Sequence, residues 1–578
     1  MSAGEREGGA ARPERLAVLA AAVTIVAAGV LLRLYHLNGP SLWWDENVEV
    51  AFASLRSPWQ VLRAVKLGIP PHSANAGAVP LDYLLLHLHL ALVPRPAPRW
   101  LELYYRFPSF LWSGLTLVAV FAYCRRFLDR GVALLATLVL ASSIAHVLYA
   151  VEVRFYSLAA LATVANLYAF SRVVFERRSL SAWGLFAAVN VLYFLSGLFA
   201  LLLVGSEHLI LAGLLVRDRW RTGVAAGEAP RPLALAPLLA SGLVIALTVA
   251  LYFLGTSLGA RHGRPGSGAL DPWRETAGAV AFFTLGNRTL SYVFLGALPL
   301  ALLYAARRPG LLPIALHLVL GFGAIPVLVL VERWKQYYFH PRHALFLLPH
   351  FAIVVALGLL TALRLLDPFR AVVRDPRRRA ALNVLGAMGL VLGTQIPVVG
   401  AYLRHPDPFF TLTKHLRDFK SLARDLDARV AALAPGEGFV LVAERDSVAN
   451  AAASVYLRAW GLGSRVVFRA TRDVPATLAG LARLCPGGRG TVTGPEFERA
   501  LPLTVAVGLT PAFRDLLGLQ LPIGTWPRRV AGCAVVVYSP APPAARALGF
   551  VARRYAGFTL LEPAPARPTS PLQQRAPP

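Results

Sequence analysis

The sequence predicts a mostly α-helical membrane protein: a polytopic helical bundle of about 11 transmembrane helices, followed by a small α/β domain. Hydrophobic residues make up 56% of the 578 residues and charged residues only 15%, whereas an ordinary soluble domain has about 25% charged residues. The mean hydropathy is +0.55. Uncharged runs close to the roughly 20 residues that a membrane helix needs recur as far as residue 402. These observations exclude a soluble globular enzyme and a disordered chain.

The uncharged runs locate the individual spans. The first run, 16–32, follows Arg12 and Arg15 and exceeds the roughly 7–15 residues of a signal-peptide core, so we predict a retained helix. The shorter segment 79–93 carries Asp82, His87 and His89, and we predict that it lies in the membrane interface without crossing. Ten further spans are predicted at 107–124, 132–149, 155–171, 181–197, 198–216, 232–254, 289–306, 311–331, 344–363 and 380–402.

Arginine placement predicts the orientation. If 79–93 does not cross, the short basic loops all fall on one side, at 125–130, 172–178, 217–221, 307–308 and 374–379. The positive-inside rule then places these loops and the N-terminus in the cytoplasm, and everything after the last span outside. The net charge of +27 follows from this topology and needs no nucleic-acid partner. We therefore predict a multi-pass protein of the cell (inner) membrane.

The chain divides into three parts. Residues 1–402 form the transmembrane domain, in which 38–104 is the first outer loop, and 403–562 form an extracytoplasmic α/β domain. Apolar residues recur at helical spacing over 412–430, and strands are expected at 439–442 and 534–538. Cys485 and Cys533 both lie in the exported part, where a disulfide is permitted, although two reduced buried cysteines are the simpler interpretation. The proline-rich segment 563–578 is predicted to be disordered.

Charged side chains gather in the outer loops, where ionisable groups at membrane depth are functional candidates because they are costly to place. A carboxylate at a dry interface can act as a general base or hold a divalent metal. Arginine and lysine at headgroup depth can bind a lipid phosphate. The candidates are Asp45 and Glu46 in the first loop, Glu152, Arg154 and Tyr156 in the second, and Lys335, Tyr337, His340 and Arg342 in the fifth.

Five short motifs follow one another along residues 1–400. They are Asp45-Glu46 after Pro40-Ser41-Leu42-Trp43, then Pro80-Leu81-Asp82-Tyr83, Arg106-Phe107-Pro108-Ser109, Glu152-Val153-Arg154-Phe155-Tyr156, and Arg342-His343 before a late span. Together they resemble the GT-C superfamily of membrane glycosyltransferases. More closely, they resemble the family 39-like group of protein O-mannosyltransferases and aminoarabinose transferases. The resemblance implies a GT-C type fold and an enzyme that uses a lipid-linked sugar.

The resemblance also implies roles for the candidate residues. The donor would be a polyprenyl-phosphate monosaccharide, and a hexosyl or pentosyl group would be transferred with inversion on the outer face. Asp45 would be the general base, and Glu46 would orient it or the acceptor. Glu152, Arg154, Tyr156, Lys335, Tyr337, His340 and Arg342 would bind substrate, with Arg342 as the main phosphate ligand. No metal would be required, because cationic side chains can neutralise a single leaving phosphate.

Several alternatives stay open at this point. Glu152 and Arg154 could form a structural ion pair, and Arg342 could be a headgroup anchor. Asp45, Glu46 and Glu152 could instead hold a divalent cation. A lipid-linked oligosaccharide polymerase or ligase, a secondary transporter built around Glu207 and His208, and a silent scaffold are the competing functions. The sequence does not identify the sugar, and the acceptor could be a lipid, a protein or a polysaccharide.

Overall fold

The computed structural model describes residues 12–67, 79–176, 179–222, 235–254, 271–334, 340–411, 418–444, 453, 456–457, 459–485, 501, 503–504, 529–538, 541–548, 550–555 and 558–564. Most of them are helical. In the first half of the chain the helices are α1 (Arg12–Leu34), α2 (Trp44–Ala53), α3 (Pro58–Leu67), α4 (Leu81–Leu92), α5 (Leu101–Phe127), α6 (Arg130–Ser142), α7 (Ile144–Ala150), α8 (Tyr156–Phe175), α9 (Leu180–Ser196) and α10 (Ala200–Thr222). The later ones are α11 (Leu235–Phe253), α12 (Pro272–Phe283), α13 (Arg288–Ala306), α14 (Leu312–Leu320), α15 (Ala324–Trp334), α16 (Leu348–Leu366), α17 (Pro376–Arg404), α18 (Asp407–Thr411), α19 (Phe419–Ala431), α20 (Val474–Leu484) and α21 (Ala544–Ala547).

Nine helical segments within these ranges are long and apolar enough to cross a membrane. They are Arg15–Leu34, Pro98–Phe127, Tyr156–Phe175, Ala200–Trp220, Leu235–Phe253, Arg288–Ala306, Leu312–Trp334, Pro341–Leu366 and Pro376–Arg404. Helices α6 and α7 add a tenth if the pair, which is bent by 62°, is one broken span. By the length and composition of these helices, the chain is a multi-pass membrane protein.

Of the eleven predicted spans, one is broken and one is short. The run at 132–149 breaks between α6 and α7, where Ser143 caps the second helix by accepting from the His146 N–H. The run at 181–197 forms α9, whose 17 residues are at the lower end of the roughly 17–25 residues that cross a membrane. Hydropathy alone does not register where a helix bends or stops. Helix α4, of 12 residues, is too short to cross, as predicted for 79–93.

Helix α16 forms the centre of the bundle. In the span Pro341–Leu366, 94% of the apolar window is buried inside the protein, so this segment contacts other helices on all sides. It packs very closely against α13, because a Cβ atom at Gly358 would overlap Ala297. The segment begins with a 3₁₀ turn, Pro341–Leu347, and thereby presents Arg342 at one end of the bundle.

The C-terminal part is an α/β domain, as predicted. Its strands are β1 (Glu437–Glu444), β2 (Val466–Thr471), β3 (Leu503–Thr504), β4 (Arg529–Val537), β5 (Phe550–Tyr555) and β6 (Phe558–Pro563), in the sheet order β3-β2-β1-β4-β6-β5. β1 is parallel to both β2 and β4, and the other pairings are antiparallel. Phe439 and Leu441 face α19, whereas Val440 and Val442 face α20, as the two-residue period of a strand requires.

Two predictions about this domain have different outcomes. Cys485, which follows α20, and Cys533 in β4 form a disulfide with their Cα atoms 6.7 Å apart, so the simpler expectation of two reduced cysteines was wrong. Apolar spacing could not decide this, because pairing depends on how α20 lies on the sheet. The predicted disordered segment 563–578 lies outside the described residues except for its first two positions.

The α/β domain shares a hydrophobic core with the first loop. Phe419 and Leu422 of α19 pack in one cluster with Leu42, Leu86 and Leu101 of the membrane domain. An interdomain clamp of Glu102, Lys420 and Tyr456 joins the two parts. Lys420 Nζ donates to Glu102 Oε2 at 2.8 Å, and the Tyr456 hydroxyl donates to Glu102 Oε1 at 2.9 Å.

The clamp also holds the first loop itself. Tyr456 Oη accepts from the backbone N–H of Leu42 at 2.6 Å, and Lys420 Nζ donates to the carbonyl of Asn38 at 2.8 Å. Both contacts lie within seven residues of Asp45. The domain therefore constrains the segment that leads into α2.

We expect Lys420→Ala to destabilise the protein by about 3 kcal/mol, because the fully buried Glu102 carboxylate would lose its cationic partner. Adding Glu102→Gln should recover much of that loss, because the buried charge is then gone. The matched control is Arg424→Ala on the same helix, since Arg424 is exposed and, among the described residues, donates to Ser421 nearby. Thermal unfolding in detergent measures all four proteins. Equal shifts for the Lys420 and Arg424 variants would contradict the clamp.

Candidate functional site

Helix α2 carries three acidic residues at its start. Its N-cap residue, Trp43, is extended, and Glu46 accepts from the Trp43 backbone N–H at 3.1 Å in a capping-box arrangement. Asp45 and Glu49 lie four residues apart and so share one face. Adjacent residues of a helix point about 100° apart, so Glu46 faces a different direction from Asp45.

Glu46 is buried against Arg106 of α5. Two bonds of 2.8 and 2.9 Å join the guanidinium and the carboxylate, and both side chains are fully buried. Arg106 also donates to the carbonyls of Leu37, Pro40 and Ser41. The pair therefore attaches the start of α2 and the turn before it to α5.

The same pair reaches the second loop, residues 151–155 between α7 and α8. The backbone N–H of Val153 donates to Glu46 Oε1 at 3.0 Å. This bond holds Glu152 and Arg154, the neighbours of Val153, beside α2. The two loops that the sequence predicts to form the site are thus joined through one carboxylate.

Arg154 pairs with Glu49, which the sequence prediction did not include. Their separation is 2.8 Å, and the Glu49 side chain is fully buried. The sequence left open an ion pair between Arg154 and Glu152. In the structure the partner of Arg154 is Glu49, which lies one helical turn after Asp45. Spacing along α2 was the signal that could have found Glu49.

A second buried acid, Asp82 of α4, lies next to Glu49. Burial raises the pKa of Glu49 well above its ordinary value, against the opposing effect of Arg154. Burial also raises the pKa of Asp82 to about 6. Two carboxyl groups thus share one arginine, and both are easier to protonate than in water.

Arg342 approaches Asp45 from the start of the central span. Its Nη2 lies 3.4 Å from Asp45 Oδ2, and its guanidinium lies 5.2 Å from the centre of the Trp43 ring. The Asp45 side chain remains 23% exposed, in contrast to the buried Glu46 and Glu49. Asp45 is therefore the acid of α2 that a substrate can reach.

His340 fixes the backbone beside Arg342. Its Nδ1 accepts from the Arg342 backbone N–H at 3.1 Å, which requires a ring that is not doubly protonated. Burial, reinforced by the charges of Arg342 and His343, lowers the pKa of His340 to about 3. His340 is accordingly neutral at physiological pH and acts as a cap.

Tyr156 lies among the predicted charges. Its hydroxyl is within electrostatic reach of Arg342, Arg154, Glu152 and Asp45, so the structure brings these predicted residues together from three separate segments. Lys335 and Tyr337 were predicted with them but lie outside the described residues.

A small apolar cleft, with room for about one water molecule, lies beside Tyr156. Its walls come from α8, the α9–α10 junction and the 3₁₀ turn that carries Arg342. The lining residues are Phe155, Tyr156, Ala159, Tyr193, Gly197, Phe199, Ala200, His343 and Phe346. A charged site thus borders a small apolar cleft.

The described residues contain no group of three His, Cys, Asp or Glu side chains placed to hold a metal ion. Of the three acids that could have supplied such a site, Glu46 is bound to Arg106 and Asp45 faces Arg342. Each of these two carboxylates therefore faces an arginine.

No protein-family model and no curated protein matches the sequence, but solved structures resemble the fold. ArnT from Cupriavidus metallidurans bound to undecaprenyl phosphate is 14% identical, with a TM-score of 0.47 over 93% of this chain and 97% of that one. The archaeal oligosaccharyltransferase AglB from Archaeoglobus fulgidus, in complex with an inhibitory peptide and a dolichol-phosphate, is 13% identical with a TM-score of 0.46. That match covers 75% of this chain and 63% of AglB, so this chain spans less than two thirds of the oligosaccharyltransferase.

Both likenesses are of the fold. At these identities and TM-scores, however, neither likeness assigns this chain an activity or a substrate. The function proposed below rests on the site's own geometry.

The raised pKa of Asp82 predicts a pH effect on stability. The folded state holds the Asp82 proton more tightly than the unfolded chain does. The free energy of unfolding therefore keeps its full Asp82 contribution below about pH 4 and loses it as the pH rises to about 6. We expect Asp82→Asn to match the wild type at pH 4 and to exceed its free energy of unfolding at pH 7 by something on the order of 3 kcal/mol. Denaturant unfolding in detergent at both values measures this. If the free energy of unfolding changed equally between pH 4 and pH 7 in the variant and the wild type, the raised pKa of Asp82 would be contradicted.

Proposed function

We propose that this chain is a membrane glycosyltransferase that moves a monosaccharide from a polyprenyl-phosphate donor to an acceptor on the outer face of the membrane. The observation that carries the proposal is the partly exposed Asp45 carboxylate facing Arg342 at the edge of an apolar cleft. A general base, a phosphate-binding cation and a hydrocarbon groove are the parts that such a reaction needs. The orientation follows from the arginine distribution between spans.

Donor binding divides between the cleft and Arg342. The cleft has room for about one water molecule, so it would widen to take the first isoprenoid unit, whose transfer from water is favourable. Arg342 would bind the phosphate. Its separation of 3.4 Å from Asp45 exceeds the roughly 2.7–2.9 Å of a tight charge-assisted bond, so a phosphate oxygen can compete for it.

The proposed reaction is an inverting displacement at the anomeric carbon. The Asp45 carboxylate accepts the proton of the acceptor hydroxyl or amine while that atom forms a bond to C1 of the sugar. The bond between C1 and the phosphate oxygen breaks, and its electron pair leaves with the polyprenyl phosphate. The Arg342 guanidinium stabilises the added negative charge.

The other predicted residues have supporting roles in this proposal. Glu46 positions α2 through Arg106, and Arg154, held by Glu49, places a second cation near Asp45. Glu152 and Tyr156 would contact the sugar, and His340 holds the Arg342 backbone. Lys335 and Tyr337 stay predictions as further donor contacts. Hexosyl or pentosyl specificity and the identity of the acceptor are left to experiment.

Transport is the weaker alternative. The residue that favours it is Glu207, which lies within the bundle 2.9 Å from Asn166 and 3.6 Å from His317. His317 in turn lies 3.4 Å from His350. All four side chains are fully buried and contact one another across four helices, as polar groups that hold a membrane bundle together do.

We expect Asp45→Asn to lower the release of polyprenyl phosphate at least about 100-fold, with donor affinity changed by less than about threefold, because the variant keeps the shape and loses the base. The assay uses full-length protein in detergent, a panel of polyprenyl-phosphate sugars and a membrane extract as acceptor. Mass spectrometry follows the released lipid. Asp427→Asn is the matched control, since Asp427 is exposed on α19. Wild-type rates in Asp45→Asn would exclude the proposed base, and release only from diphosphate donors would favour a polymerase or ligase.

If Arg342 neutralises the leaving phosphate, a metal is not required. We therefore expect a chelator to leave the rate of release unchanged, whereas Arg342→Gln lowers it roughly 100-fold and weakens donor binding. Arg342→Lys should keep part of the binding, because the charge remains without the two-pronged geometry. Loss of activity with the chelator, and its restoration by a divalent cation, would overturn the metal-free mechanism.

A further inference from the structure

A fully buried arginine, Arg33, lies in α1 away from the proposed substrate site. It belongs to a span, where an arginine is costly and marks a specific role. It forms no ion pair with a described acid. Instead, its five N–H groups meet five neutral acceptors.

Four of the five bonds connect three other helices to α1. Nε donates to Ser113 Oγ of α5 at 2.7 Å, and Nη1 donates to the Gly29 carbonyl of its own helix at 2.7 Å. The remaining three bonds reach the break between α6 and α7. They run to the carbonyls of Ala141 and Leu140, at 3.1 Å each, and to Nδ1 of His146 at 2.6 Å.

The location explains why an arginine fits there. The 62° bend interrupts the regular backbone hydrogen bonds at the end of α6, where the Ser143 N–H reaches the Leu140 carbonyl at 3.3 Å. Within a membrane, the remaining acceptor capacity of such carbonyls must be satisfied by protein. The end of a helix also carries roughly half a negative charge, which favours a cation. Gly29 allows the approach, since a Cβ there would lie 2.8 Å from Leu117 and 2.9 Å from Ala141.

We propose that Arg33 is a positioning residue that latches the α6–α7 bend and thereby sets the second loop. Helix α7 leads directly into that loop, and His146 precedes Glu152 by six residues. The latch and the bond from Val153 to Glu46 hold the segment at both ends. The effect on catalysis rests on the proposed function, whereas the latch itself does not.

The first test measures the latch without using activity. Hydrogen exchange of the full-length protein in detergent should show faster exchange over 144–154 in Arg33→Gln than in the wild type, with α16 unchanged. Arg404→Gln is the matched control. Arg404 also ends a spanning helix and donates to a glycine carbonyl four residues back, at 3.1 Å, but it is exposed. Unchanged exchange over 144–154 in Arg33→Gln would overturn the proposal.

The second test asks whether Arg33 acts through the second loop. In the lipid-release assay, Arg33→Gln should lower kcat about tenfold with donor KM within twofold, because a displaced group costs rate. In a Glu152→Gln background, the same change should cost less than twofold. Full additivity of the two losses would contradict action through the loop.

A third variant tests the latch if Arg33→Gln does not fold. Arg33→Lys keeps the charge at the end of α6 and loses the fork of donors, so it should fold with intermediate exchange and an intermediate kcat. Wild-type exchange and kcat in Arg33→Lys would show that the fork is not needed and would refute the latch. If no variant and no wild type releases lipid, the exchange results still decide the latch, and only the proposed function fails.

Discussion

The buried ion pair between Glu46 and Arg106 determines where the first loop can place its catalytic candidate. A buried charge that loses its partner costs roughly 3–5 kcal/mol, so the surrounding backbone must keep both groups satisfied. Arg106 donates to three carbonyls of the preceding turn. Glu46 accepts from the backbone N–H groups of Trp43 and Val153. The first loop, α5 and the second loop therefore form one unit, and the α/β domain adds to it through Glu102.

Burial separates the acids of α2 into two roles. Glu46 and Glu49 are fully enclosed and each holds an arginine, which fixes the helix and the second loop. Asp45 precedes both in sequence and remains partly exposed, so it is the acid of α2 that keeps a face toward solvent. Arg342 then meets Asp45 from the central span, and the meeting of an acid and a cation beside an apolar cleft defines the chemistry that we propose.

Sequence patterns predicted the helices, the α/β domain and most of the charges of the site, because hydropathy and loop position register these features directly. They could not predict which way each side chain points or which partner it meets. Glu46 and Asp45 are neighbours in sequence, yet the roughly 100° between adjacent residues of a helix turns Glu46 toward Arg106 and Asp45 toward Arg342. Likewise, the partner of Arg154 is Glu49 and not Glu152. Arg33 directly follows the uncharged run 16–32, and four of its five acceptors come from distant segments.

A structure of the full-length protein with bound polyprenyl phosphate tests the central claim most directly. The account predicts the phosphate within hydrogen-bond distance of the Arg342 guanidinium, the isoprenoid chain in the cleft beside Tyr156, and the Asp45 carboxylate facing the space that the sugar occupies. The pair between Glu46 and Arg106 should be unchanged. A phosphate bound at the other end of the bundle, or one coordinated through a metal to Asp45 with Arg342 turned away, would contradict the account.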